Sequence, residues 1–171
     1  MPCALTQGFA TFDCRDNVGG IKAIWFIPYS DVTTITEASG TVSAITKSSG
    51  KVFYKYLLTR NTGSYTQTIT GNIENGTVFF EQSLVVILNK MQVNMRNEIL
   101  LLSRNTMMAV VEDQNGRYWL AGKLNGLDLL SGSADTGTAA GDRNGFSLTF
   151  TGSERELACE VQSSVIATLT T

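Results

Sequence analysis

The sequence predicts a mainly β protein with a minor α component, built as a sandwich or barrel of about eight or nine strands with one helix. Three observations support this. Proline occurs only at Pro2 and Pro28, whereas sixteen glycines and twenty-one threonines are spread along the 171 residues, which favours strands and turns. Four Asn-Gly pairs supply residues that accept positive φ at strand reversals. Between them, apolar and polar residues alternate.

Eight segments have the composition or the alternation of strands. In the clearest one, Phe146, Leu148 and Phe150 face one side and the residues between them face the other. A second alternating segment places Gln82 on the same face as several apolar residues, which indicates a long central strand. The predicted strands are residues 21–27, 52–58, 64–70, 78–88, 107–111, 118–122, 146–151 and 159–167.

One helix is predicted over residues 91–103. Met91, Met95, Ile99 and Leu102 recur there at helical spacing, so they form one apolar face. A single helix of this kind should pack on the sheets and cap one open end.

Two segments lack the pattern of a core element. Residues 30–50 are rich in Ser, Thr and Gly, and residues 131–143 contain three glycines and three alanines without periodicity. We expect loops or extended arms at both places. The chain is therefore predicted to be a single domain over residues 1–171, with an extended loop or arm at about 30–50.

Membrane insertion and secretion are not expected. No apolar run approaches the roughly 20 residues needed to cross a bilayer, and the longest covers residues 84–88. The N-terminus has no basic region followed by an apolar one, so we expect no secretory signal and synthesis in a cytoplasm.

The residues needed for common catalytic and metal sites are scarce. The absence of histidine removes the commonest general base and metal ligand. Cys3, Cys14 and Cys159 have neither disulfide-framework nor zinc-site spacing, so we expect buried or idle thiols. The pairs Glu112-Asp113 and Glu154/Glu156 are interpreted as solvated charge. We therefore predict no enzyme activity, no cofactor and no metal.

Two repeated patterns are open to a second interpretation. Residues 113–116 and 142–145 both read Asp-x-Asn-Gly, which is similar to the start of a calcium-binding loop, but the remaining ligands are missing. An Asp that accepts backbone N–H groups in a turn explains both. Residues 51–56 interleave lysines with aromatics, as single-strand binders do, although such alternation also describes a strand with one wet face.

The net charge of −2 and the pI near 5.1 argue against a protein that grips nucleic acid through many phosphate contacts. Residues 41–104 hold seven basic and three acidic side chains, whereas residues 105–171 hold four basic and eight acidic ones. Opposite charges of this kind would let copies stack head to tail if the segments form opposite faces. The alternative is that neighbouring strands intermix the charges.

Several segments resemble tail tube and related virion structural proteins of bacteriophages that infect Bacteroidetes. The matching segments are residues 3–8, 13–22, 80–84, 88–90, 111–116, 118–119, 136–139 and 141–145. This resemblance implies a β-sandwich or barrel subunit, six copies to a ring, and rings stacked into a hollow tube that conducts the genome. It also implies location in the virion after synthesis in the host bacterium, with sheath or terminator, baseplate and tape measure proteins as partners.

The resemblance implies roles for two sets of residues. Loops such as residues 30–50 bridge rings in tube proteins, so Asp31, Thr34, Thr41, Ser43 and Lys47 are expected in an inter-subunit arm. The hydroxyl row Ser64, Thr66, Thr68 and Thr70 either lines a wet lumen or forms an ordinary outer surface. The alternative functions are another virion element, such as a capsid decoration or tail terminator protein, and a carbohydrate-binding sandwich module.

Overall fold

The computed structural model describes residues 7–9 and 15–171. Strands account for 51% of the residues and helices for 12%, so the mainly β prediction is confirmed. The strands are β1 (Ile21–Pro28), β2 (Val32–Ala38), β3 (Thr41–Lys47), β4 (Tyr54–Leu57), β5 (Gly63–Asn72), β6 (Thr77–Asn89), β7 (Met107–Asp113), β8 (Tyr118–Ala121), β9 (Asp128–Asp135), β10 (Gly145–Glu154) and β11 (Cys159–Val161). The helices are α1 (Val93–Leu102) and α2 (Ser163–Leu169), with a 3₁₀ turn at Tyr29–Asp31.

The strands form two sheets, so the architecture is a sandwich rather than a closed barrel. The seven-stranded sheet has the order β2-β3-β11-β8-β7-β1-β4, and its pairs are antiparallel except for the parallel pair β11–β3. The four-stranded sheet has the order β5-β6-β10-β9 and is antiparallel throughout.

Apolar side chains fill two layers. The main core lies between the sheets, where the rings of Phe26 and Phe150 are 4.9 Å apart. The second core lies on the other face of the seven-stranded sheet, where α2 covers it with Val165 and Leu169. Because β1 and β7 are buried on both faces, they are continuous apolar runs rather than alternating ones.

The predicted helix is present as α1, and it closes one side of the sandwich. Met95, Ile99 and Leu102 pack against the main core, as their spacing indicates. α1 lines one groove with β9 and another with β4, so it lies across the opening between these two edge strands.

The strand and helix counts differ from the prediction, because there are eleven strands and two helices in the described chain. Residues 159–167, predicted as one strand, are β11 followed by the start of α2. Val165 and Leu169 lie four residues apart on the buried side of α2, so the helical period replaces the strand period after Gln162.

Residues 30–50 were expected to be a loop or an extended arm, and they form the β2–β3 hairpin instead. Val42 and Ile45 of β3 are buried in the second core. The bulky residues are few because β2 is an edge strand, which adds only the half-buried Val32 and Ile35 to this core. Residues 131–135 likewise belong to β9, which leaves residues 136–144 as the connection to β10.

Two of the four Asn-Gly pairs form hairpin turns. Gly76 (φ 62°) joins β5 to β6, and Gly116 (φ 77°) joins β7 to β8. Gly126 instead lies where the chain crosses from the seven-stranded sheet to the four-stranded one. Gly145 begins β10, where a Cβ would collide with the carbonyl oxygen of Leu88, so glycine permits the close approach of the strands.

Candidate assembly surface

The four-stranded sheet turns one face to the main core and the other face away from it. Leu84 and Leu148 lie on the core side, whereas the outer side carries mostly hydroxyl side chains together with Val85 and Ile87. The strand register places Thr66 beside Ser83, and Ser83 beside Thr151. We call this outer side the hydroxyl face; its Ser and Thr residues are Ser64, Thr66, Thr68, Ser83, Ser131, Ser133, Ser147, Thr149, Thr151 and Ser153, with Thr70 and Thr77 beyond the end of β10.

The residues predicted for a lumen or outer surface all lie on this side of β5. Ser64, Thr66 and Thr68 are exposed on the hydroxyl face. Thr70 is half-buried and stands opposite Phe79, beyond the end of β10. The alternation in β5 was therefore correctly predicted, whichever role the row has.

No Lys or Arg occurs in the four strands of this sheet. Their charged residues are Glu81, Asp128, Asp135 and Glu154, of which Glu154 is buried and the other three are exposed. Glu81, Asp128 and Asp135 stand in register with residues of the hydroxyl face or beside it. A polyanion that meets this face encounters hydroxyl groups and negative charge, so few counterions would be released on contact.

β5 is an unpaired edge strand in the described chain. The carbonyl of Thr62 accepts a hydrogen bond from the N–H of Ile87 (2.8 Å), which fixes the direction of the backbone groups that follow. These directions alternate from residue to residue in an antiparallel pair. The N–H and C=O groups therefore point away from β6 at Tyr65, Gln67 and Ile69. An extended row of backbone donors and acceptors is thus open along this edge.

β9 forms the opposite edge and is open in the same way. The N–H of Lys90 donates to the carbonyl of Asn144 (2.6 Å), which fixes the direction of the backbone groups along β10. Because these directions alternate, every second residue of β10 pairs with β9, and the backbone groups of Gly132 and Ala134 point outward from the sheet. Sequence reasoning missed this edge because β9 is rich in Gly, Ser and Ala. Its only signal was proximity to the strongly alternating β10.

An apolar groove of about 380 Å³ follows the open edge of β9, between this strand and α1. Gly132 and Ala134 form part of it, at positions where the adjacent β10 carries Phe146 and Leu148. Because Gly132 and Ala134 have little or no side chain, the space beside Ile99 of α1 is not filled from within the subunit. The groove can therefore accept an apolar side chain that enters from the edge.

The residues expected in an inter-subunit arm lie on or beside the β2–β3 hairpin. Asp31 forms an ion pair with Lys51 (3.4 Å). The ammonium group of Lys47 donates to the carbonyl oxygens of Thr168, Leu169 and Thr171 at 2.8, 2.9 and 2.9 Å. A cation at the C-terminal end of α2 also complements the helix dipole, so Lys47 stabilises its own subunit.

The other three expected arm residues are spread along the same hairpin. The hydroxyl of Ser43 donates to the carbonyl of Thr36 (3.3 Å), and Thr41 is paired with Glu160 of β11. Thr34 is exposed on the edge strand β2. The hairpin therefore holds these side chains close to the body of the subunit, and only Thr34 lies on an open edge.

A polar cluster surrounds Lys123. Its ammonium group lies 2.6 Å from Glu37, 3.2 Å from Glu156 and 3.7 Å from the thiol of Cys159. The two carboxylates and the thiol are close enough together to suggest a metal site. However, the lysine ammonium already occupies the position of the cation, so the residues do not fit a metal ion as they stand.

Protonation in this cluster follows from the same contacts. Burial alone would lower the pKa of Lys123, but hydrogen bonds to Glu37 and Glu156 outweigh it and raise that pKa above its usual range. Hydrogen bonds from Lys123 and then Cys159 lower the pKa of Glu37. Burial, followed by the hydrogen bond to Glu37, raises the pKa of Cys159 to about 11. The thiol is thus protonated near neutral pH and is a poor nucleophile.

Two carboxylates that were interpreted as solvated charge are buried. Glu112 is 5% exposed and lies 2.9 Å from the ammonium of Lys22, and this hydrogen bond raises the pKa of Lys22. Glu154 is 3% exposed and accepts backbone N–H groups from Leu124 and Asn125 at 3.0 Å. Both are structural because their partners lie within the subunit, which the sequence pattern did not reveal.

The two Asp-x-Asn-Gly segments hold backbone turns. Asp113 accepts the N–H groups of Asn115 and Arg117, both at 2.9 Å. Asp142 accepts the N–H groups of Ala139 and Thr138. These hydrogen bonds lower the pKa of Asp142, and the bond from Ala139 has the larger effect. In the part of the chain that the structure describes, neither carboxylate belongs to a cluster of potential metal ligands.

The segment with interleaved lysines and aromatics is the strand β4 and its approach. Phe53 is buried in the second core, and the ammonium of Lys55 lies 4.8 Å from the centre of the Trp25 ring. Trp25 itself is 2% exposed, so it offers no stacking platform. Tyr54 is the exposed aromatic of this strand.

The two oppositely charged segments of the sequence are not separated into two faces. Residues 41–104 contribute β3 and β4 to one sheet and β5 and β6 to the other. Residues 105–171 also contribute strands to both sheets.

In residues 7–9 and 15–171, neither helix has the length and the apolar character that a membrane span requires. Two of the three cysteines considered in the sequence, Cys3 and Cys14, lie outside these residues.

Comparisons of the chain with protein-family models, with curated proteins and with solved structures found no significant match. The features of the molecule that indicate a function are therefore the open edges of β5 and β9, the groove and the hydroxyl face.

Proposed function

We propose that this chain is a non-enzymatic structural subunit whose copies close into rings through β5 and β9, and that the rings stack as the hollow tail tube of a tailed bacteriophage. The carrying observation is an antiparallel sheet with two open edges and an outer face rich in hydroxyls that contains no cation. The sequence resemblance to tube proteins supports the same function, with six copies to a ring.

The number of strands in the sheet supports ring closure. In the order β5-β6-β10-β9, neighbouring strands alternate in direction, so β9 of one copy and β5 of the next are antiparallel when copies are related by rotation. The outward backbone groups of Ile69 and Gly132 both belong to residues on the core side of their strands. Because the sheet has an even number of strands, the antiparallel hydrogen bonding can continue from one copy into the next. The hydroxyl faces of all copies then lie on the same side of the ring wall.

The groove beside β9 supports the same contact. On β5, Ile69 is 62% exposed and points to the core side, where the groove of the next copy would lie. Burial of such a side chain between α1 and β9 would add apolar stabilisation to the backbone hydrogen bonds. Pairing of these edges would also remove two open edges that invite uncontrolled association.

The shape and charge of the sandwich favour a lumen lined by the hydroxyl face. The seven-stranded sheet and α2 form the bulkier layer, so a closed ring places them outside and the smaller sheet inside. Glu81, Asp128 and Asp135 then make the lining acidic, and DNA would pass without strong binding. The location is the virion, with sheath or terminator, baseplate and tape measure proteins as partners.

Assembly of the purified chain tests this proposal. Light scattering after size exclusion and negative-stain microscopy should show rings or tubes. Ile69→Pro removes an outward N–H from β5 without removing a bond to β6, so it should abolish rings. Ile69→Val keeps the N–H and should assemble as the parent does. A folded wild-type monomer at all concentrations contradicts the proposal; trimers favour another virion element, and sugar-dependent stabilisation of a monomer favours a carbohydrate-binding module.

A further inference from the structure

We propose that the β5–β6 hairpin tip of one copy binds the β6–α1 corner of a copy in the next ring. The hairpin tip comprises residues 70–79, and the corner comprises residues 90–93. The contact rests on the proposed function, because it joins rings that must first form. It places ring stacking on the β5–β6 hairpin rather than on residues 30–50.

The hairpin tip extends past the rest of its sheet. The last pair between β10 and β6 is Glu154 with Phe80, whereas β5 and β6 remain paired as far as Asn72 and Thr77. Ile73 is 99% exposed at the turn. A two-stranded ribbon with exposed apolar side chains is marginally stable alone, so a partner surface would stabilise it.

The turn at the tip has a defined geometry. The side-chain oxygen of Asn72 accepts the N–H of Asn75 (3.0 Å), and Gly76 adopts φ 62°. These features hold Ile73 and Glu74 at the end of the hairpin. An apolar side chain and a carboxylate therefore stand side by side at its most distant point.

The β6–α1 corner is constrained in a different way. Lys90 has φ 70°, which is unfavourable for a residue with a side chain. Asn144 holds this conformation, since its carbonyl accepts the N–H of Lys90 (2.6 Å) and its side chain accepts that of Met91 (3.0 Å). Strained backbone that its surroundings over-determine is common at functional positions. Lys90 is exposed and forms no ion pair within the described chain.

The two surfaces match in composition. The tip presents Ile73 and Glu74, and the corner presents Lys90 with the exposed side chains of Met91 (39%) and Val93 (72%). They lie at opposite ends of β6, so copies displaced along this strand bring a tip to a corner. At 3.3 Å per residue, this places successive rings about 40–50 Å apart.

The charges around the two surfaces follow the same arrangement as Glu74 and Lys90, with acids near the tip and bases near the corner. At the tip end, Glu74, Glu81 and Asp128 are exposed and form no ion pair in the described chain, and the same holds for Arg60, Lys90 and Arg143 at the corner end. Two cations are exceptions at the tip end: Arg155, and Arg104, which lies two residues before the Thr106 that donates to Asp128. The acids of the corner end, Asp135 and Asp142, accept backbone N–H groups of their own loop. Complementary potentials of this kind orient one copy on the next.

Charge exchange in the full-length protein tests the contact. Glu74→Lys and Lys90→Glu should each raise the concentration needed for tube growth at least about tenfold, because the contacts of one ring act together. Each variant should still form rings. The double variant should recover tube growth to within about threefold of wild type. Glu98→Lys makes the same charge change on α1 and should grow tubes as wild type does.

The readouts separate this inference from the proposed function. Particle mass and negative-stain images report rings, and tube length with ring spacing reports stacking. Wild-type rings that never stack, normal tubes in both single variants, or a double variant that stays defective would each overturn the hairpin contact while ring closure stands. A wild-type protein that forms no rings would instead reject the proposed function, and the stacking contact with it.

Discussion

Gln82, near the middle of β6, accepts a hydrogen bond from the backbone N–H of Gly122 (2.9 Å) and thereby joins the two sheets inside the sandwich. Its side chain is 1% exposed and lies on the same strand face as Leu84 and Val86. A buried N–H group that loses its acceptor carries the full cost of desolvation. The relative position of the sheets therefore depends on a polar contact as well as on apolar packing.

Replacement of this acceptor should destabilise the fold. We expect Gln82→Leu to lower the free energy of unfolding by about 1–3 kcal/mol, because it leaves the N–H of Gly122 buried without a partner. Urea unfolding at a fixed protein concentration measures this. Gln162→Leu, at an exposed position before α2, should change the value by less than about 0.5 kcal/mol. Equal effects at both positions would contradict the structural role.

The turn that leads from β8 to β9 should depend on Glu154. Glu154→Ala removes the acceptor of the Leu124 and Asn125 N–H groups and should lower the free energy of unfolding by about 2–3 kcal/mol. Glu81→Ala removes an exposed carboxylate and should have little effect on the same measurement. A stability of the Glu154 variant equal to that of the Glu81 variant would show that the turn does not need the carboxylate.

The Lys123 cluster should make stability depend on acid pH. Because the hydrogen bond from Lys123 lowers the pKa of Glu37 below its ordinary value of 4.5, the folded state favours the ionised carboxylate. The stabilisation of the folded state by the ionised Glu37 is fully present above pH 4.5. It is lost as the pH falls through the lower pKa that Glu37 has in the folded state. Glu37→Gln and Lys123→Met should both flatten this part of the stability profile, measured by thermal unfolding between neutral and acid pH. An unchanged profile in Lys123→Met would contradict the assignment.

The hydroxyl face should tolerate DNA without binding it. Thr66→Lys should add a ring of cations to the lining of assembled tubes and retain short DNA duplexes in a salt-dependent way. Thr33→Lys adds the same charge on the exposed strand β2 and should not create this retention inside tubes. Fluorescence anisotropy of labelled duplexes at low and high salt distinguishes the two. Equal binding by both variants would place the hydroxyl face outside.

The sequence predicted the elements whose burial differs between their two faces. In β10, Phe146, Leu148 and Phe150 are buried and Ser147 is not, so the period of two was visible. α1 was visible for the same reason, through Ile99 and its helical neighbours. The long strand β6 was also predicted, including Gln82 on its apolar face, although its partner across the sheets could not be found from spacing.

The missed features share a physical cause, which is that their partners are distant in sequence. β2 and β9 are exposed edge strands of small or polar residues, so they resemble loops. Glu154 lies near the end of its strand in the sequence, where an exposed charge is expected. It is buried because the turn at Leu124, about thirty residues earlier in the chain, packs on it. The groove beside Gly132 exists only because α1 packs along β9.

Electron cryomicroscopy of the assembled protein tests ring closure most directly. We expect each β9 to pair with β5 of the next copy, a side chain of β5 to fill the groove beside Gly132, and the hydroxyl face to line a central channel. A particle in which β5 and β9 remain unpaired, or in which the hydroxyl face points outward, would contradict the proposed assembly.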